Sequence, residues 1–162
     1  INLKKYSDSV NKLTKKLKCK IIFEPGRSII GDTGILLSKI QYIKKGAKKD
    51  FIIIDAGMND FMRPALYDAV HKIIPIRKSK SKLKGTIEFV GPICESTCKF
   101  GSYKNYQKIS ENDFVAITNV GAYGSSLSSN YNSRPLIAEL LVNKNKIKYI
   151  RKKQDLLKLI NS

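Results

Sequence analysis

From residue 35 onward the chain breaks into short segments at 35–42, 51–55, 86–90, 114–118, 137–142 and 146–151. Each is rich in Ile, Val or Phe and bounded by Gly, Asn, Asp or Ser. β-Branched and aromatic side chains suit a pleated, half-buried surface, whereas those bounding residues favour turns. The repetition therefore predicts a mainly β fold, a sandwich or barrel. Two short helices interrupt the pattern. One begins near Pro64, a residue tolerated in a first helical turn, and the other closes the chain with Leu156, Leu157 and Ile160 on one face. The stretch from Arg77 to Lys84 alternates serine with lysine and reads as a solvated loop.

The residues before this β region follow another rule. Leu3, Tyr6, Val10, Leu13 and Leu17 recur at helical spacing with lysines on the opposite face, which predicts an amphipathic helix. Lys20 to Phe23 then reads as a short strand, stopped by Glu24-Pro25-Gly26-Arg27. Helix, strand and glycine turn in that order is how an α/β repeat ends. Two parts follow: residues 1–30 as the last of an α/β unit and residues 31–162 as a β domain. The chain opens on Ile1 rather than methionine, as a piece of a longer polypeptide would.

At 162 residues and 42% hydrophobic content the chain is long enough to bury one core. No apolar run approaches the roughly 20 residues that cross a bilayer, and no basic-then-apolar signal opens the chain. A cytoplasmic protein with no membrane partner is expected. The formal charge of +18 would attract nucleic acid. However, only Arg27, Arg63, Arg77, Arg134 and Arg151 are arginine, and the remaining basic residues are lysines spread along the chain. Base-reading and bidentate phosphate sites favour arginine, so the lysines read as solvated surface. A non-enzymatic basic β domain that binds nucleic acid remains the alternative. The three cysteines, Cys19, Cys94 and Cys98, form no disulfide framework and read as reduced thiols. Zinc would need a second Cys/His pair, and His71 is the one histidine, so no metal is expected.

Four clusters place polar or reactive residues where a predicted strand has just ended. Glu24-Pro25-Gly26-Arg27, followed by Ser28-Ile29-Ile30-Gly31, offers free backbone amides and a fixed positive charge, which suit an anion or simply make a turn. Asp55-Ala56-Gly57-Met58-Asn59-Asp60 precedes Arg63-Pro64-Ala65-Leu66-Tyr67, where Arg63 and Tyr67 share a helix side. A guanidinium beside a phenol suits a carboxylate ligand, and equally an ordinary cap beside a half-buried tyrosine. Gly91-Pro92-Ile93-Cys94-Glu95-Ser96 sets a thiol, a potential acid, beside a carboxylate able to receive an ammonium group. A buried inert cysteine is the competing reading. Gly121-Ala122-Tyr123-Gly124 leaves space around a tyrosine, as at a ligand wall, and leads into Ser128-Ser129-Asn130-Tyr131-Asn132-Ser133-Arg134-Pro135.

In this order the clusters resemble the diaminopimelate decarboxylases, members of the alanine-racemase-like class of pyridoxal-phosphate enzymes, from about residue 20 to the closing helix. The resemblance implies the C-terminal β-sandwich or barrel domain of those enzymes, preceded by the last α/β unit of a TIM-type barrel. It implies decarboxylation of meso-2,6-diaminopimelate to L-lysine and carbon dioxide, the last step of lysine biosynthesis, with pyridoxal 5'-phosphate as cofactor. Glu24, Pro25, Gly26 and Arg27 would contact the cofactor phosphate, and Tyr123 would lie against cofactor and substrate. Arg27, Arg63 and Tyr67 would bind substrate, Glu95 would pair with its distal ammonium, and Cys94 would be the acid that protonates Cα. In this family the Cys-Glu loop typically completes a neighbouring subunit's site. A homodimer, or a complementing chain that contains the barrel, is therefore implied.

The family's cofactor-binding lysine sits in the preceding barrel, and no lysine here lies in such a motif. The chain alone is therefore expected to be inactive. Cys98 stands where the family usually has aspartate, and Asn119 where an acidic residue is common.

Overall fold

The computed structural model describes residues 2–161. Its centre is a six-stranded sheet built from β1 (Ile35–Lys44), β2 (Asp50–Ile54), β3 (Ile73–Pro75), β4 (Thr86–Val90), β5 (Lys99–Lys104) and β6 (Phe114–Thr118). The strand order is β3-β6-β1-β2-β4-β5. All neighbouring pairs are antiparallel except β2 and β4, which run parallel. A parallel pair needs a crossover, and the connection from β2 to β4 contains the short helix α2 (Arg63–Tyr67) and β3.

Alternation along the strands decides what is buried. In β1, Leu36, Ser38 and Ile40 point inward, and in β4, Ile87 and Phe89 do so. With Ile52, Ile54, Ile73, Val115 and Ile117 they form the core. Each fully buried isoleucine contributes about 1.5–3 kcal/mol relative to an exposed one. Phe89, Tyr103 and Tyr106 pack edge-to-face with ring centroids 5.1–5.7 Å apart.

The sheet curls until its edge strands meet, and tyrosine hydroxyls join them. Tyr103 on β5 donates to the His71 carbonyl (3.1 Å) and accepts from the Ile73 N–H of β3 (2.8 Å). Tyr106 donates to the Ile73 carbonyl (3.0 Å). Burial pushes both phenols above their usual range, so the hydroxyls keep the protons that these bonds use. Side chains thus cover sheet edges that would otherwise present unpaired backbone groups.

The expected β domain is present. The predicted bounds 86–90, 114–118 and 146–151 match β4, β6 and β8 (Lys146–Arg151). β7 (Glu139–Asn143) pairs with β8 in a separate hairpin, followed by the closing helix α3 (Leu156–Ile160). Two strands, β3 and β5, go beyond the sequence reading.

The opening helix α1 covers Leu3–Thr14, capped where the Asn2 side chain accepts from the Lys5 N–H (3.0 Å). Leu17 lies past its end. The expected strand at Lys20 to Phe23 does not form, because a strand exists only by pairing and no backbone hydrogen bond reaches this segment among the described residues. Apolar side chains here stay in solvent: Leu3, Leu13, Ile22 and Ile29 are each more than 70% exposed.

Candidate active site in two parts

The sequence-predicted residues gather into two groups. The first lies where the N-terminal turn meets the end of β6 and the start of β3. Gly26 adopts a left-handed φ of 57°, and a side chain there would meet open space. The turn therefore needs glycine for its backbone rather than for packing. Ser28 donates back to the Pro25 carbonyl, whereas the N–H groups of Gly26 and Arg27 take no acceptor among the described residues. Arg27 reaches across to the Asn119 carbonyl through Nη2 (2.6 Å), and its Nε is buried without a hydrogen-bond partner. Two free amides beside a guanidinium fit an anion such as a phosphate.

Arg63 and Tyr67 share one side of α2, with the guanidinium 5.5 Å from the ring centroid. Pro64 lies in the first turn, as expected. Arg63 Nε donates to His71 Nε2 (3.4 Å), while His71 Nδ1 lies 2.9 Å from the Thr118 carbonyl. Asn119 follows at φ 61°, a conformation that asparagine tolerates better than most residues. Tyr123, in the next loop, is half exposed and also has positive φ (58°).

The second group is the loop between β4 and β5. Cys94 is exposed here, and Glu95 accepts a 2.5 Å hydrogen bond from Tyr131. That carboxylate, through its hydrogen bond and its charge, holds the Tyr131 phenol above its usual range, with smaller pushes from burial and then from Cys94. Cys98 is buried, and its sulfur accepts from the Met58 N–H (3.3 Å). The thiol thus keeps an acceptor where the resemblance leads one to expect a carboxylate, in a weaker form.

Arg134 fastens the segment that carries Tyr131 to the turn after β2. It donates to Asn59 Oδ1 (3.0 Å) and the Asp55 carbonyl (2.8 Å), and it pairs with Asp60 (3.5 Å). Asn59 in turn holds the Ser129 carbonyl (3.3 Å) and accepts from the Ser129 N–H (2.9 Å). Burial drives the Asp60 carboxyl above its usual range, against the Gly57 N–H and Arg134, which pull it down. Roles for Tyr131, Arg134, Asp60 and His71 escape sequence reading, although the dense Asn/Ser run around Tyr131 and the isolated histidine past Arg63 were available signals.

Among the described residues no hydrogen bond or ion pair joins the Arg27–Arg63 group to the Cys94–Glu95 group. The chain therefore carries two groups not joined by such a bond, one rich in cations and one with a thiol beside a carboxylate. No described helix is long and apolar enough to cross a membrane.

The chain is 42% identical over 149 residues to a diaminopimelate decarboxylase of Aquifex aeolicus, covering 92% of this chain and 35% of that protein. It is 44% identical over 156 residues to one of Helicobacter pylori, covering 96% of this chain and 38% of that protein. The crystal structure of diaminopimelate decarboxylase from Helicobacter pylori complexed with L-lysine superposes with a TM-score of 0.85 at 42% identity, over 99% of this chain and 39% of that one. The chain thus spans little more than a third of these relatives. Residues 8–121 match the family described as pyridoxal-dependent decarboxylase, C-terminal sheet domain. With its curled sheet and its length of matching sequence, the chain belongs to the pyridoxal-dependent decarboxylases and carries their C-terminal sheet domain.

Proposed function

We propose that this chain supplies the sheet-domain half of the active site of a pyridoxal-phosphate-dependent decarboxylase acting on meso-2,6-diaminopimelate. The observation that carries the reading is the Cys94-Glu95 loop, with its carboxylate held by Tyr131 and its thiol exposed beside it.

The assigned roles follow from charge and donor type. The Gly26 and Arg27 amides, with Arg27, receive the cofactor phosphate, and Glu24 and Pro25 shape that turn. Arg27 and Arg63 hold the substrate carboxylates, with Tyr67 and Tyr123 as walls. Glu95 takes the distal ammonium, which selects a diamino acid. Cys94 carries the proton delivered to Cα. When bound, the cofactor serves as the electron sink for decarboxylation, while the protein supplies orientation and the proton.

Because no hydrogen bond or ion pair joins the two groups among the described residues, we assign a complete site to two copies, each lending its Cys94-Glu95 loop to the other. The barrel and its cofactor-binding lysine belong to the remaining length seen in the relatives. We take residues 1–30 as the end of that barrel. The apolar side chains exposed from Leu3 to Ile30 support this, because a barrel packed on them would cover them. The nucleic-acid alternative rests on the formal charge of +18 alone, which is carried mostly by lysines spread along the chain.

The test is to combine the chain with a barrel-containing polypeptide and measure L-lysine formed from meso-diaminopimelate. The combined protein should turn over and the 162-residue chain alone should not. Cys94→Ala should lower the rate by about 10²–10⁴-fold, the range for losing a positioned proton donor. Undiminished turnover by Cys94→Ala would remove the assigned proton donor.

A further inference from the structure

We propose that His71 is a positioning residue, held as its neutral Nδ1–H tautomer so that Nε2 aims the Arg63 guanidinium at a substrate carboxylate. The proposal rests on the functional reading above for the identity of that carboxylate, but the geometry of His71 stands independently.

A carbonyl can only accept, so the 2.9 Å contact with the Thr118 oxygen places the proton on Nδ1. Nε2 is then left with a lone pair, and it faces the Arg63 Nε–H at 3.4 Å. With Nε turned inward, the remaining guanidinium donors are free to face outward beside Tyr67. The imidazole itself cannot swing. It is 2% exposed, packs edge-on against Phe61 with centroids 4.6 Å apart, and its backbone carbonyl is tied to Tyr103 of β5. An arginine that samples many rotamers would lose orientation entropy at every binding event, whereas one pinned by a buried acceptor is already in place.

The surroundings keep the ring in this state. Burial lowers the His71 pKa below its usual value, and the Arg27 and Arg63 charges push the same way, against the Thr118 carbonyl. The groups facing the ring are Arg63 from α2, Arg27 from the N-terminal turn, the uncharged Thr118 from β6 and Phe61, with the Tyr103 phenol at its backbone. A proton on Nε2 would turn the acceptor into a donor and set a cation against two guanidinium groups.

Two measurements test this. His71 is the single histidine, so ¹⁵N-histidine labelling of the full chain gives one imidazole, whose nitrogen shifts report its tautomer directly. The Nδ1–H form across neutral pH, titrating below the free-histidine value, is expected. An Nε2–H form, or protonation at neutral pH, overturns the proposal. In the combined enzyme, His71→Asn keeps a donor for Thr118 but loses the acceptor for Arg63, and should raise KM about tenfold while changing kcat by about twofold or less. His71→Gln, whose Oε1 can take the Arg63 proton, should recover part of that loss. Unchanged KM in His71→Asn, or equal KM in the two variants, overturns it. Absence of turnover in the unsubstituted combined enzyme would instead overturn the functional reading, and the NMR result would still decide the state of His71.

Discussion

Tyr131 donates a 2.5 Å hydrogen bond to the Glu95 carboxylate across a sequence separation of 36 residues. The bond fixes the loop that also carries Cys94, and it occupies one carboxylate oxygen while leaving the other for a ligand. In the combined enzyme, Tyr131→Phe should raise KM for meso-diaminopimelate by about three- to tenfold, the modest end for a hydrogen bond to a charged acceptor because both groups are exposed. Steady-state kinetics check this, with Glu95→Gln expected to cost more because it removes the charge itself.

Arg134 should matter to stability rather than chemistry. Removing it strips the buried Asp60 of its cation, which costs on the order of 2 kcal/mol at neutral pH, discounted because Arg134 is partly exposed. The Asp60 carboxyl already titrates above its usual value, so ionising it costs stability: the favourable contribution is present below the unfolded pKa and is lost as pH rises through the folded one. Arg134→Ala should raise that folded pKa further. Urea unfolding should therefore show the variant's deficit narrowing as pH falls from 7 toward 4.

His71 predicts a second pH effect. Its folded pKa is lowered, so between the folded and unfolded values the unfolded chain binds more protons. Stability should be fully present above about pH 6.5 and fall as pH drops through and below that value. Replacing His71 with Asn should flatten this part of the pH profile in denaturation experiments.

Tyr103→Phe tests how the sheet closes. It deletes a hydroxyl that bonds to the Ile73 N–H of edge strand β3 and to the His71 carbonyl just before it, and leaves the Ile73 N–H without that acceptor. A loss of about 1–3 kcal/mol in urea unfolding is expected, with the ring packing kept.

Much of the fold is legible because burial alternates with residue type. Thr86–Val90 and Phe114–Thr118 are apolar runs between turn residues, and their sequence limits coincide with the strand ends. Lys99–Lys104 hides its strand behind terminal lysines and a central glycine, Gly101 at φ 140°. Ile73–Pro75 is too short to show alternation and ends on proline. The apolar Lys20 to Phe23 misleads in the opposite direction, because propensity cannot supply a missing neighbour. In the site, local motifs exposed the Arg63–Tyr67 pair and the glycine turn. The contacts Tyr131–Glu95, Arg134–Asp60 and Arg27–Asn119 join residues 36 to 92 positions apart, and only folding brings them together.

The sharing of one site between two copies is tested most directly by mixing two crippled forms of the combined enzyme. Arg63→Ala disables the cationic group and Cys94→Ala the thiol loop, so each alone should be nearly inactive. If every site takes one group from each copy, random two-fold assembly of an equal mixture restores about a quarter of full activity, because half the dimers are mixed and each of those has one intact site. If both groups serve the same site from a single chain, lysine formation in the mixture will stay at the level of the separate variants.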